Sequence, residues 1–324
     1  FDRRAEDKTT SNILILGNSS QGKSYLLKLI LTNLRESGKR LICLDPESEY
    51  EEICSALGGC YIDFLSGEYT INPLEPKAWA DNADSADPDA PPAFRKATRL
   101  SQHIAFLKDF FRSYKDFTDS QIDTIEILLS KLYARFGITD STDYGTKKPS
   151  DFPIMEDFYK LCEEEFYSYD SKRKYLYTEE TLQEVCLGIH SMCVGAESKY
   201  FNGHTNITDD EFLVFGVKGL LDTNKRLKDA VLFNILSFMS NQLLGKGNTA
   251  ASIDELYPKR HETRAQKRLL DHSGKPEYRG FFNSLHPGVY KAAVFYSDPS
   301  VPVQCRTNQP KGIYGRLAGG GRGV

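Results

Sequence analysis

The chain lacks any apolar run close to the ~20 residues that a bilayer-spanning helix needs. It also lacks the hydrophobic stretch of a secretory signal, because its first residues read FDRRAEDKTTSN. Both absences lead us to expect a cytoplasmic protein, and the missing initiator Met leads us to expect a fragment of a longer polypeptide. Cysteines stand at 43, 54, 60, 162, 186, 193 and 305 with no C-x-x-C spacing. Reduced, mostly buried thiols without zinc are the expectation. His103, His190 and His204 are isolated from one another, so no Ser/His/Asp or metal-ligating grouping emerges. We read them as satisfied or surface histidines, and the basic run Lys172-Arg173-Lys174 as a solvated helix edge.

What is present is ordinary in bulk and uneven in distribution. Hydrophobic residues make up 40% and charged residues 27% of 324, as in a globular protein of one or two domains. The net charge of −4 hides an asymmetry: residues 258–324 hold 12 Lys+Arg against 4 Asp+Glu, so residues 1–257 carry 29 against 41. That tail also holds nine of the 24 glycines and six of the 14 prolines. A boundary falls near Tyr257.

The strongest motif is Gly17-Asn18-Ser19-Ser20-Gln21-Gly22-Lys23-Ser24, a full match to G-x-x-x-x-G-K-[ST]. It follows Ile13-Leu14-Ile15-Leu16 and leads through Tyr25 into Leu26-Leu27-Lys28-Leu29-Ile30-Leu31. Strand, glycine-rich loop and helix give this octet the context of a phosphate-binding P-loop. Gly17 and Gly22 permit a tight turn whose N–H groups face phosphate oxygens, and the helix N-terminus adds partial positive charge. In this reading residues 17–25 bind a nucleoside triphosphate, Lys23 reaches its β- and γ-phosphates, and the Ser24 hydroxyl goes to Mg²⁺.

Alternation of short apolar runs with helical periods predicts a doubly wound α/β sheet. Strands are expected at 12–16, 40–44, 60–64 and 211–217, and helices at 23–36, 50–57 and 227–244. Residues 79–92, rich in Asp, Ala and Pro, read as a loop. From 94 to about 199 the period is helical throughout, as in Ile122, Ile125, Leu128, Leu129 and Leu132. We therefore expect a first core part at 1–78, an all-helical insertion at 79–207, a second core part at 208–257 and an atypical tail at 258–324.

A P-loop ATPase needs an acid at a neighbouring strand end for Mg²⁺ and a carboxylate to orient the attacking water. Asp254 and Glu255, after Ala250-Ala251-Ser252-Ile253, fit those two roles. Glu47 and Glu49 follow the strand at 40–44. Strand carboxyl ends line the ligand crevice of an open α/β sheet, so either acid approaches the water at the γ-phosphate or caps the next helix.

Taken in order, GNSSQGKS, LDPESEY, FNGHTNI, FLVFGVKGLLDTNKRLKDAVLFNILSFM and SIDELY resemble the C-terminal ATPase domain of the conjugative-transfer ATPases of type IV secretion (the fourth VirB component and its TraE/TrbE-like relatives). The resemblance covers about residues 10–257. It implies a RecA-like core of the HerA–FtsK superfamily, a helical insertion, and ATP hydrolysis that drives substrate transfer or pilus assembly. It further implies assembly with other secretion components at the inner face of the cell membrane, as a homo-oligomer such as a hexamer. By this comparison Lys23 and Ser24 are the P-loop pair and Asp254 and Glu255 the Walker B pair, while Phe201-Asn202-Gly203 and Thr205-Asn206 lead from the insertion back into the core.

After Tyr257 the resemblance stops. Family members continue with a basic helix and a strand ending in a Ser/Thr-Gln sensor; here only Ala292-Ala293-Val294-Phe295-Tyr296 offers a strand. We expect the tail to be out of register with the family and poorly folded. Two other functions stay open: a DNA-pumping motor of the HerA–FtsK type, and a nucleotide-binding interaction module with impaired turnover. DNA binding would need positive charge on the core, which residues 1–257 lack in their net balance.

Overall fold

Residues 13–17, 21–77, 98–170, 176–221, 223–246, 248–254 and 290–296 are described in a computed structural model. Strand β1 (Ile13–Gly17) leads towards helix α1 (Lys23–Glu36), followed by β2 (Arg40–Asp45), α2 (Glu51–Ala56) and β3 (Cys60–Asp63). Four helices come next: α3 (Arg99–Tyr114), α4 (Asp119–Arg135), α5 (Met155–Tyr167) and α6 (Glu179–Cys193). The chain then returns through β4 (Phe212–Gly216), α7 (Lys218–Leu221), α8 (Lys225–Gly245) and β5 (Thr249–Ile253). Strand β6 (Tyr290–Tyr296) is the one described segment of the tail.

The sheet order is β1-β6-β5-β2-β4-β3. Strands β5, β2, β4 and β3 pair in parallel. Strand β6 lies antiparallel to both β1 and β5. Two reversals cancel, so β1 runs in the same direction as the parallel strands. The carboxyl ends of β1, β5, β2, β4 and β3 therefore share one edge. The α/β core with a parallel sheet agrees with the sequence reading, whereas the antiparallel strand between β1 and β5 was not legible in it. The rest of the tail, and the expected loop at 79–92, lie outside the described residues.

Central strands are buried on both faces, which is why they read as continuous apolar runs. Leu41, Cys43, Phe212 and Val214 pack with Leu27 and Leu31 of α1 and Cys54 of α2. The alternate residues Ile42, Leu44, Leu213 and Phe215 face α8 and join the core of α3–α6. Phe106 of α3 stacks on Phe233 of α8 with ring centres 5.2 Å apart, so the inserted helices share a core with the sheet.

Two stretches carry the chain between sheet and helices, and they lie side by side. The Thr70 N–H donates to Asn206 Oδ1 at 2.7 Å, and the Asn206 N–H returns to the Thr70 carbonyl at 3.2 Å. Buried Asn72 accepts from the Leu74 N–H and donates to the Pro153 carbonyl, and its own N–H goes to Thr205 Oγ1. These bonds satisfy backbone groups that would otherwise be buried unpaired. They give the FNGHTNI block a structural role.

His103 is not at the surface. It occupies the buried stripe of α3 with Leu100, Phe106 and Leu107 and stacks on Phe106 at 5.5 Å, with the backbone of residues 73 and 74 beside its ring nitrogens and no hydrogen bond of good geometry among the described residues. Burial, with Lys77 and Arg99 nearby, holds its pKa well below the usual value, so it packs as a neutral aromatic ring. His190 and His204 are exposed, and residues 172–174 lie outside the described set. Among the described residues no cluster could hold a metal through three His, Cys, Asp or Glu side chains, and no helix is long and apolar enough to cross a membrane.

Candidate nucleotide site

The glycine-rich octet begins where β1 ends, at Gly17, and runs into the N-terminus of α1. Residues 18–20 lie outside the described set. Gly22 stands at φ +75° with open space where a Cβ would project, a left-handed conformation that glycine adopts without strain. Among the described residues no side chain caps α1, and its first-turn N–H groups have the arrangement that suits an anion. Gln21 is exposed, Lys23 and Ser24 are half-buried, and the Tyr25 side chain stands 75% exposed.

Asp254 immediately follows β5. Residue 293 of β6 pairs with Leu14 on one side and Ile253 on the other, so a single strand separates β1 from β5. Two strand spacings separate the strands by about 10 Å across the sheet, and β1 runs three residues further than β5 towards the shared edge. Gly17, Lys23, Ser24 and Asp254 thus lie along one edge. Glu255 is outside the described residues.

Glu47 and Glu49 are both exposed beyond the end of β2. Neither caps α2, whose N-terminus has no side-chain cap. The backbone there is held instead by Asp45, which is fully buried. Its Oδ1 accepts the Glu49 N–H and its Oδ2 the Tyr50 N–H, each at 3.0 Å. Burial pushes the Asp45 carboxyl up from its ordinary range against the pull of those N–H bonds. Ser48 at φ +57° completes the turn, and Lys218 of α7 donates to the Glu47 carbonyl at 3.2 Å.

Tyr50 joins this turn to Asp254. Its hydroxyl donates to Asp254 Oδ2 at 2.7 Å. Burial, and then the charge of Asp254, raise its pKa, so it remains a phenol and a donor. Asp45 and Tyr50 were not singled out in the sequence. The available signal was a strand-terminal Asp ahead of a turn, a residue type that accepts nearby backbone N–H groups.

The donors on this edge fit a triphosphate with Mg²⁺. Gly22 and the helix start suit phosphate, and the Ser24 hydroxyl and Asp254 carboxylate are hard oxygen groups of the kind that Mg²⁺ takes.

Neither the family profiles nor the curated proteins compared with the chain gave a match. Among solved structures it is similar to VirB4 of Thermoanaerobacter pseudethanolicus, with 31% sequence identity and a TM-score of 0.56. The match covers 68% of this chain and 54% of that one, so the chain spans about half the length of that relative. Over the shared stretch the chain is similar to VirB4, and VirB4 belongs to the family whose order of motifs its sequence resembles.

Proposed function

We propose that this chain is the ATP-binding and hydrolysing motor domain of a type IV secretion or conjugative DNA transfer system, energising substrate translocation or pilus assembly. The observation that carries the reading is the shared edge: the P-loop at the end of β1 and Asp254 at the end of β5 lie one strand apart. The relation to VirB4 adds the biological setting. Residues 17–25 would enclose the phosphates, and Lys23 would neutralise charge on the β- and γ-phosphate oxygens. Mg²⁺ bound with the nucleotide would draw further charge from those oxygens. Ser24 and Asp254 would hold the metal, Asp254 through water, and Glu255 would orient the attacking water. Glu47 and Glu49 stand on the same edge as further candidates for that water. We place the motor at the cytoplasmic face of the cell membrane, held there by other secretion components, and as a homo-oligomer such as a hexamer.

Glu255→Gln tests the reading. The variant should bind ATP as the wild type does and release phosphate at least about 100-fold more slowly. Equal phosphate release by the two proteins would remove Glu255 from the mechanism.

One observation favours a second reading, a nucleotide-binding interaction module with little turnover. Strand β6 runs antiparallel to its neighbours, so its last residue, Tyr296, pairs with Ala250 near the far edge of the sheet. A sensor at the end of that strand would sit away from the phosphates, in keeping with a tail out of register with the family. Nucleotide affinity without phosphate release in the wild-type chain would favour the module.

A further inference from the structure

Tyr50 has more anchors than a helix-start tyrosine needs. Its side chain is 1% exposed and packs with Leu41, Cys43 and Val214 on the α1 face of the sheet. Lys28 of α1 lies over its ring at 5.4 Å. Its N–H is fixed by Asp45, its hydroxyl ends on Asp254, and the two partners stand at the ends of different strands, Asp45 closing β2 and Asp254 following β5. The backbone of residue 254 is tied to the same strand end, since its N–H donates to the Leu44 carbonyl at 3.3 Å.

An aspartate carboxylate turns easily about its last torsion, which has broad wells. Mg²⁺ demands near-ideal octahedral geometry and keeps several of its waters, so a carboxylate that accepts from those waters works best with its plane fixed. A buried phenol donating to one carboxylate oxygen supplies that restraint.

We propose that Tyr50 is a positioning residue for the metal: its hydroxyl sets the orientation of the Asp254 carboxylate in which that group receives Mg²⁺ with the nucleotide. The inference rests on the nucleotide reading of this edge. Through Asp45 the same tyrosine fixes the turn that carries Glu47 and Glu49, so the two acidic segments keep their spacing as one unit.

The test is a titration of Mn²⁺, a spectroscopic substitute for Mg²⁺, into the full chain holding a non-hydrolysable ATP analogue, read by electron paramagnetic resonance. Tyr50→Phe keeps the ring and its packing and removes only the hydroxyl. The metal Kd should rise about fivefold or more, the effect of losing one hydrogen bond to a charged group, while analogue affinity in EDTA stays within about twofold. In an Asp254→Asn background, Tyr50→Phe should shift the metal Kd no further. An unchanged metal Kd in Tyr50→Phe overturns the proposal and leaves the nucleotide reading intact. So does an equal loss in both backgrounds, which would place the effect elsewhere. Absence of analogue binding by the wild type overturns the nucleotide reading itself. Should Tyr50→Phe not fold, Asp254→Asn alone decides: unaltered metal affinity there overturns the proposal.

Discussion

Asp45 shows how one buried carboxylate can shape a turn beside the candidate site. It closes two backbone N–H bonds within residues 45–50, and truncation would leave the buried Tyr50 N–H and the part-buried Glu49 N–H without this partner. Asp45→Ala should cost about 2–4 kcal/mol in urea unfolding, with Asp45→Asn milder because the amide oxygen still accepts. Gly59 makes a second prediction at this scale. A Cβ there would stand 2.7 Å from the Phe212 carbonyl oxygen and 2.8 Å from Cys54 Sγ. Backbone cannot yield cheaply, so Gly59→Ala should destabilise by about 1–3 kcal/mol. The glycine-rich octet was legible as a motif because it is written in eight consecutive residues. The bond from Tyr50 to Asp254 was not, since 204 positions separate its ends and only the folded sheet brings them together.

Among the elements, strands and helices announced themselves where burial is periodic or continuous. Helix α8 was expected over 227–244 and spans Lys225–Gly245, beginning at Asn224, whose side chain accepts the Leu227 N–H at 2.9 Å. Helix α4 starts with a capping box: Thr118 accepts from the Gln121 N–H, and Gln121 answers the Thr118 N–H. Thr118→Ala should therefore lose about 1 kcal/mol of stability, visible as a lowered urea midpoint. The direction of β6 could not be read in advance. A short apolar run satisfies the ladder in either sense, and the choice belongs to the connection that precedes it. His103 misled for a related reason: a lone histidine reads as polar, yet its place in the α3 stripe makes it part of the core.

At the scale of the whole molecule, sheet and inserted helices are joined through a buried cation. Lys77 donates to Asn234 of α8 at 3.0 Å and lies 4.6 Å from the ring centre of Phe106 on α3. Burial lowers its pKa to about 7, against an upward pull from Glu75. The unfolded chain keeps that lysine protonated to roughly pH 10. Above about pH 7 the unfolded state thus holds the extra proton, and the contribution of Lys77 to stability improves as pH rises. Between pH 7 and 8.5 the wild type should gain up to about 2 kcal/mol relative to Lys77→Met, read from paired urea titrations. The joint was hidden in the sequence because Lys77, Phe106 and Asn234 lie far apart along the chain. Nucleotide binding remains the property on which the functional reading stands, and calorimetric titration of ATP with Mg²⁺ into the wild type and Lys23→Ala tests it most directly. Binding by the wild type with affinity reduced at least about tenfold in Lys23→Ala is the predicted result, as expected for losing charge-assisted bonds to phosphate; equal affinity in the two proteins, or none in either, would contradict it.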